Sequence, residues 1–225
     1  MILNNNIIIR KYSKKDRKKV RQISYDTAFL GLRKGDIFDN EEIISDFLTN
    51  YFINYEPGSC FVAESAGEVI GYVVGALDTE KMKKILGGRI IPLLIAKILR
   101  KKLFVNRTNL NFFLRVFRSF AKGEFFTPEF SKYYPATLHI NIDENFRGRK
   151  IGTKLLEHYI EFLNSRGCVG VHFGTMSEAA KDFFISRGFS ILHEGVKTYL
   201  KPYTGRNYPY YILGKKIKNG GDHQS

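Results

Sequence analysis

The sequence predicts an α/β domain with a mixed central sheet of about seven strands, flanking helices and a two-helix insertion ahead of the fourth strand. Three observations carry that expectation. Residues 137–142 alternate apolar Leu138, Ile140 and Ile142 with polar His139 and Asn141, the period-two pattern of a half-buried strand. Past the turn formers Asp143, Glu144 and Asn145, the basic segment Arg147-Gly148-Arg149-Lys150-Ile151-Gly152-Thr153 opens a helix with apolar Ile151, Leu155, Leu156, Tyr159, Ile160 and Leu163 at helical spacing. Upstream, 59–65 and 68–77 read as strands joined by Ala66-Gly67, a hairpin signal.

The remaining elements follow in order. Residues 7–12 read as a first strand, and Ser13 can cap a helix over 14–29 carrying Val20, Ile23 and Ala28. The basic cluster Arg10, Lys11, Lys14, Lys15, Arg17, Lys18, Lys19 and Arg21 reads as a solvated helix face, with a nucleic-acid patch as the sharper alternative. Asp39 is placed to cap a second helix bearing Ile43, Ile44, Phe47, Leu48, Tyr51 and Phe52, which Pro57-Gly58 stops. Residues 79–132 form the insertion: one helix over 81–102, kinked or split at Pro92, and one over 108–122 with Phe112, Phe113, Phe117 and Phe120 as a face for burial. Its run Ile90 to Ala96 is too short and interrupted to span a bilayer, so a packed insertion is expected rather than membrane contact. Beyond the central helix, 168–175 is a strand, Ser177 caps a helix through Arg187, and 189–199 and 208–216 are the last strands. A single domain over 1–218 with a disordered tail at 219–225 is expected.

Composition bounds the partners. The chain carries 36 Lys and Arg against 22 Asp and Glu, a balance that attracts polyanions: a nucleotide cofactor, nucleic acid or an anionic membrane surface. Cys60 and Cys168 lie far apart in apolar runs, which points to buried thiols in a reducing, cytoplasmic compartment rather than to a disulfide or a metal site. The first residues have no basic region before an apolar stretch and no small-residue cleavage site, so a secretion signal is not expected.

The basic turn names a chemistry. At a helix N-terminus unpaired N–H groups point outward, glycines let a ligand approach the main chain, and Arg147, Arg149 and Lys150 add positive charge, so phosphate is the natural guest. A Walker A loop would need Lys-Ser or Lys-Thr directly after the second glycine, and a dinucleotide fingerprint would need three glycines followed by a new parallel strand. Neither pattern is present. Strand, turn, R-x-x-(G)-x-G and helix resemble the acetyl-CoA-binding core of the GNAT acetyltransferase superfamily, with Lys150 where the family usually has glycine. The hairpin after two helices resembles the family's central hairpin. Ser177, Ala180, Phe184 and Gly188-Phe189 resemble its N-x-x-A-x-x-x-Y-x-x-x-G-F element, with Ser177 for asparagine and Phe184 for tyrosine. The stretches YPATLHINI and GVHFGT are similar to bacterial small-molecule members.

The resemblance implies a GNAT fold and acetyl transfer to an amine by direct attack, without a covalent enzyme intermediate or a metal. Main-chain groups of Ile140, Asn141 and Ile142 would pair with pantetheine, Arg147, Gly148, Arg149, Lys150, Ile151, Gly152 and Thr153 would hold the pyrophosphate, and Ser177 and Phe184 would line the cofactor. An alkyl amine must lose a proton before attack, so a base is needed. His139 and His172, on consecutive strands, are the leading candidates, with Glu64, Asp143 and Tyr134 in reserve. Phe184 has no proton for the departing thiolate, which leaves that role to Tyr134, Tyr199 or water. The partners implied are acetyl-CoA and the primary amine of a small molecule or a protein; a homodimer is compatible, and neither nucleic acid nor a membrane span is expected. A catalytically weak acyl-CoA-binding regulatory module is the alternative reading.

Overall fold

The computed structural model describes residues 7–217, so the tail expected at 219–225 lies outside the described residues. The chain begins with β1 (Ile8–Lys11), a short helical turn (Lys14–Asp16) and α1 (Arg17–Asp26). Ser13 stands at the N-cap of the short turn and not of α1, and its N–H donates to Asp16 Oδ2 at 2.8 Å. The helix ends at Asp26 and not near 29, because Phe29 and Leu30 take left-handed angles (φ 53° and 59°) that no right-handed helix admits. α2 (Lys34–Ile37) and α3 (Glu41–Tyr55) follow. Asn40, not Asp39, caps α3 by accepting from the Ile43 N–H at 3.1 Å, while the Asp39 N–H is held by Asn109 of the insertion at 2.8 Å. β2 (Cys60–Ser65) and β3 (Glu68–Ala76) form the expected hairpin, turning on left-handed Ala66 and Gly67.

Residues 79–132, expected as a two-helix insertion, contain three helices, α4 (Thr79–Ile85), α5 (Ile91–Arg100) and α6 (Arg107–Ala121). A single wide turn, Leu86–Ile90, joins α4 to α5 with helical angles on both sides, the Ile91 N–H reaching back to the Leu86 carbonyl, and Pro92 follows it in the first turn of α5. The remainder is β4 (Thr137–Ile142), α7 (Ile151–Ser165), β5 (Gly170–Thr175), α8 (Glu178–Ile185), β6 (Ser190–Lys197), α9 (Lys201–Thr204) and β7 (Tyr208–Lys216).

The seven strands form two antiparallel sheets rather than one mixed sheet, in the orders β1-β2-β3-β4 and β5-β7-β6. Among the described residues they meet at one parallel bridge, Ala136 to Val171, made by Ala136 N–H to the Gly170 carbonyl (3.1 Å) and His172 N–H to the Ala136 carbonyl (2.9 Å). Beyond it, β4 and β5 part.

Helix α7 spans that parting. Its Ile151, Leu155, Leu156, Tyr159 and Leu163 pack in one core with Ala63, Val73 and Leu138 of the first sheet and Val171, Phe173 and Leu213 of the second. Tyr159, fully buried, donates from its hydroxyl to the Thr137 carbonyl at 2.9 Å. Gly75 makes room for it, since a Cβ there would lie 1.8 Å from the Tyr159 hydroxyl. A second core, Val20, Ile23, Val62, Tyr72 and Val74 among others, fills the opposite face of the first sheet beneath α1.

Residues 79–132 dock on α3 through charge and on Phe38, just past α2, through aromatic contacts. Asp46, 3 % exposed, takes Arg21 of α1 and Lys97 of α5 (2.7 Å), and Glu42 takes Lys97 (2.8 Å) and Lys101. Phe38 meets the rings of Phe112 and Phe113, each at 5.3 Å. The four-phenylalanine burial face is corrected here: Phe112 and Phe113 pack inward, whereas Phe117 and Phe120 are exposed. Burial pushes the Asp46 carboxyl up, but hydrogen bonds from Lys97 and Arg21 outweigh it and hold it below its ordinary value. Asp46→Ala is expected to cost about 2 kcal/mol in urea unfolding, and because the depressed carboxyl stabilises the fold only while ionised, the deficit relative to wild type should shrink as the pH falls below about 4.

Candidate functional site

The parting between β4 and β5 is the site's frame. β4 is paired with β3 along its length, and β5 with β7, so past the bridge each strand turns an unpaired edge toward the other. Where β4 ends, a short turn (Glu144–Phe146) delivers the chain to 147–153 and the start of α7. Asp143 anchors this turn by accepting from the Asn145 N–H (3.2 Å) and pairing with Lys19 of α1 (3.1 Å).

Within the turn, Gly148 has φ 77° and open space where a Cβ would be, and Lys150, the residue before α7, is left-handed with φ 59°. The conformation that glycine would adopt without strain is thus imposed on a lysine. Gly152 serves packing: a Cβ there would come within 3.1 Å of Ile142 and 3.3 Å of Phe183. No side chain caps α7, and Arg147, Arg149 and Lys150 are all exposed or half-exposed beside its first turn. The donor set, backbone N–H groups with guanidinium and ammonium side chains, fits a pyrophosphate. Arg187, in the turn after α8, closes one flank, donating to Thr153 Oγ1 at 2.6 Å and lying 3.9 Å over the Phe183 ring. Lys150→Gly is expected to raise stability by about 0.5–1 kcal/mol in urea unfolding, by relieving the left-handed strain.

His139 and His172 both project from the sheet face opposite α7, but their surroundings differ. His139 Nε2 accepts from Asn141 Nδ2 at 3.1 Å, and its Nδ1 lies 3.4 Å from the Tyr72 hydroxyl, to which Asn141 also donates at 2.9 Å. Both ring nitrogens are therefore engaged, and burial pushes the imidazole down to about 4. His172 donates from Nδ1 to the Tyr134 carbonyl at 2.6 Å, a tautomer that leaves Nε2 with its lone pair, and burial again lowers its pKa. The Tyr134 ring lies against β5 and β7 where Gly170 and Gly214 leave room for it.

Several expected residues are tied elsewhere. Glu64 pairs with Arg10 at 2.7 Å and Asp143 with Lys19. Ser177 caps α8 by accepting from the Ala180 N–H at 3.2 Å. Phe184 is buried in the α7 core with Phe173 and Phe189 at 4.4 and 5.1 Å, so on α8 it is Phe183 that meets the basic turn. Tyr199 donates to Met176 Sδ at 3.6 Å just past β5, 6.2 Å from the Phe112 ring of the insertion, and burial pushes its phenol up to about 12. Cys60 and Cys168 are buried free thiols, and burial pushes Cys60 up to about 12, which removes it as a nucleophile at neutral pH.

Sequence reasoning missed Lys197. Its buried ammonium donates to the Glu124 carbonyl and lies 4.2 Å from the Phe125 ring and 4.3 Å from that of Tyr210, which covers Gly174 of β5. Burial lowers its pKa, with Glu124 opposing. Its place in an alternating strand offered no signal.

The folded state holds His139 neutral, so an unfolded chain binds more protons between its ordinary pKa of 6.5 and about 4. Stability should fall by about 2–3 kcal/mol as the pH drops through that window, and His139→Gln should flatten the loss in urea titrations run at successive pH values.

Comparison with known proteins bears on this geometry. Residues 120–189, which hold β4, the basic turn, α7, β5 and α8, match the family model described as Acetyltransferase (GNAT) family. That segment is similar to the GNAT family, and the architecture of the chain is the GNAT fold. No curated protein sequence matches it. Among solved structures, the chain is similar to SsHAT at 23 % identity and a TM-score of 0.70, over 94 % of this chain and 98 % of that one. It is also similar to yncA of Salmonella typhimurium, solved with its cofactor acetyl-CoA (13 % identity, TM-score 0.55, 98 % and 99 % covered). A third is the Drosophila melanogaster polyamine N acetyltransferase that forms N acetylagmatine (16 % identity, TM-score 0.58, 94 % and 100 % covered). These likenesses show the GNAT fold along the chain.

Proposed function

We propose that the chain is an acetyl-CoA-dependent N-acetyltransferase that passes the acetyl group to a primary amine by direct attack. The observation that supports it most is the pair of unpaired strand edges opening onto an uncapped, basic helix start. One edge can take an extended pantetheine as an added strand, and the other end takes a pyrophosphate. In this reading Ile140, Asn141 and Ile142 supply the main-chain groups along β4, and the segment from Arg147 to Thr153 with Arg187 beside it holds the phosphates. Acetyl-CoA, when bound, supplies the thioester. The chain 1–218 acts as one domain, with Ser177 ordering the start of α8 beside the parting.

His172 is the base. Its Nδ1–H is fixed on the Tyr134 carbonyl, so Nε2 is the nitrogen that takes the amine proton, and its lowered pKa keeps it unprotonated at neutral pH. His139, with both nitrogens engaged by Asn141 and Tyr72, positions that face and takes no proton. The acid for the thiolate is a phenol such as Tyr199, which stays protonated, or water, since Phe184 has no proton to give.

Free-thiol release from acetyl-CoA across a panel of small amines and peptide amines, run beside thermal shifts with CoA, tests the reading. His172→Gln is expected to lower kcat by about 100-fold and to abolish an acid limb lying below pH 6.5, while the acetyl-CoA thermal shift persists. A thermal shift without turnover on any amine would point to the acyl-CoA-binding module; no shift at all would end the cofactor assignment.

A further inference from the structure

We propose that the insertion is a docking surface for an anionic lipid bilayer, on which it lies without crossing. The first observation is the orientation of α6. Its two fully buried residues are the polar Asn109 and Ser119, while Leu110, Leu114 (46 % exposed), Phe117 (68 %) and Ala121 form an outward stripe at positions i, i+4, i+7 and i+11. Phe120 extends this surface to Phe126, 5.3 Å away and also exposed. Helix α5 does the same with Ile91, Ile95 and Leu99, and between the two helices Phe104 and Val105 (70 %) project into solvent. A face meant for water would put its polar residues outside.

The second observation selects the occupant. Residues 81–123 carry 12 of the chain's Lys and Arg and no Asp or Glu. Lys83, Lys97 and Lys101 are taken by acids of neighbouring elements, but Arg89, Arg100, Lys102, Arg107, Arg118 and Lys122 are exposed without an ion pair among the described residues. Arg107 and Arg118 flank the α6 stripe on one side. A second copy would set one such cationic surface against another, and duplex nucleic acid offers phosphates but keeps its bases stacked on one another, away from leucine and phenylalanine. A bilayer surface with anionic headgroups offers both partners: acyl boundary for the stripe and phosphates for its rim. With 15 residues, α6 is about 22 Å long and cannot cross a hydrocarbon layer of about 30 Å. No helix among the described residues is long and apolar enough to do so.

Flotation of the full chain with phosphatidylcholine vesicles, with and without phosphatidylserine, tests this, alongside size-exclusion chromatography and a duplex-DNA competition. Binding should require phosphatidylserine, and both Leu114→Ser/Phe117→Ser and Arg107→Gln/Arg118→Gln should lower it at least about tenfold with circular dichroism unchanged. The proposal is overturned by equal binding to uncharged vesicles, by none to charged ones, by full retention in the Leu114→Ser/Phe117→Ser variant, or by a solution dimer that this variant splits. Displacement of vesicles by DNA that binds the apolar variant as well as wild type would assign the surface to nucleic acid instead.

Discussion

The fold depends on one helix holding together two sheets that barely touch. With a single parallel bridge between them, backbone pairing gives the joint little more than two hydrogen bonds, and its cohesion comes from the apolar face of α7 packed across both. Leu155 and Leu163 are completely buried there, and the Tyr159 hydroxyl reaches the carbonyl of Thr137, beside the last residue before the strands separate. The same helix begins at the mouth of the parting. Structural support and the candidate anion site are therefore two ends of one element, and Gly75 and Gly152 let it approach the sheet closely enough to be both.

Positive charge is handled in two ways. In the N-terminal cluster, Arg10 pairs with Asp16 and Glu64, Lys19 with Asp143, and Arg21 with Asp46, so three of the eight charges that look like a polyanion patch in the sequence tie β1 and α1 to their neighbours. The insertion anchors itself by a few lysines on α3 and leaves the others facing outward. Ion pairs that are part-buried and hydrogen-bonded resist screening better than exposed ones, which makes the α1–α3–α5 junction the firmer of the two regions.

Much of this was legible in the sequence. Alternation at 137–142, the hairpin at Ala66-Gly67 and the helical spacing after Ile151 placed their elements within a residue or two, because local periodicity and turn chemistry decide them. What local pattern could not supply was the partner of each edge. Strands on either side of the parting carry ordinary strand sequences, so the division into two sheets is invisible until pairing is known. The same limit explains the candidate site. His139 and His172 look alike in sequence, and only the neighbours, Asn141 and Tyr72 for one and the Tyr134 carbonyl for the other, separate a fully engaged ring from one with a nitrogen to spare. Phe117 and Phe120 misled for a further reason: an apolar stripe at helical spacing says that a helix has an apolar face, but not whether protein covers it.

The basic character of the chain also takes on a different meaning. Outside 81–123 the sequence holds 24 Lys and Arg against 22 Asp and Glu, close to electrical balance, so nearly all the net charge is concentrated in one appendage. A body charged at one end is a dipole on the scale of the whole molecule. In the field of any anionic object within a Debye length, about 8 Å at physiological salt, it experiences a torque as well as an attraction, and it turns with the insertion leading before any contact is made.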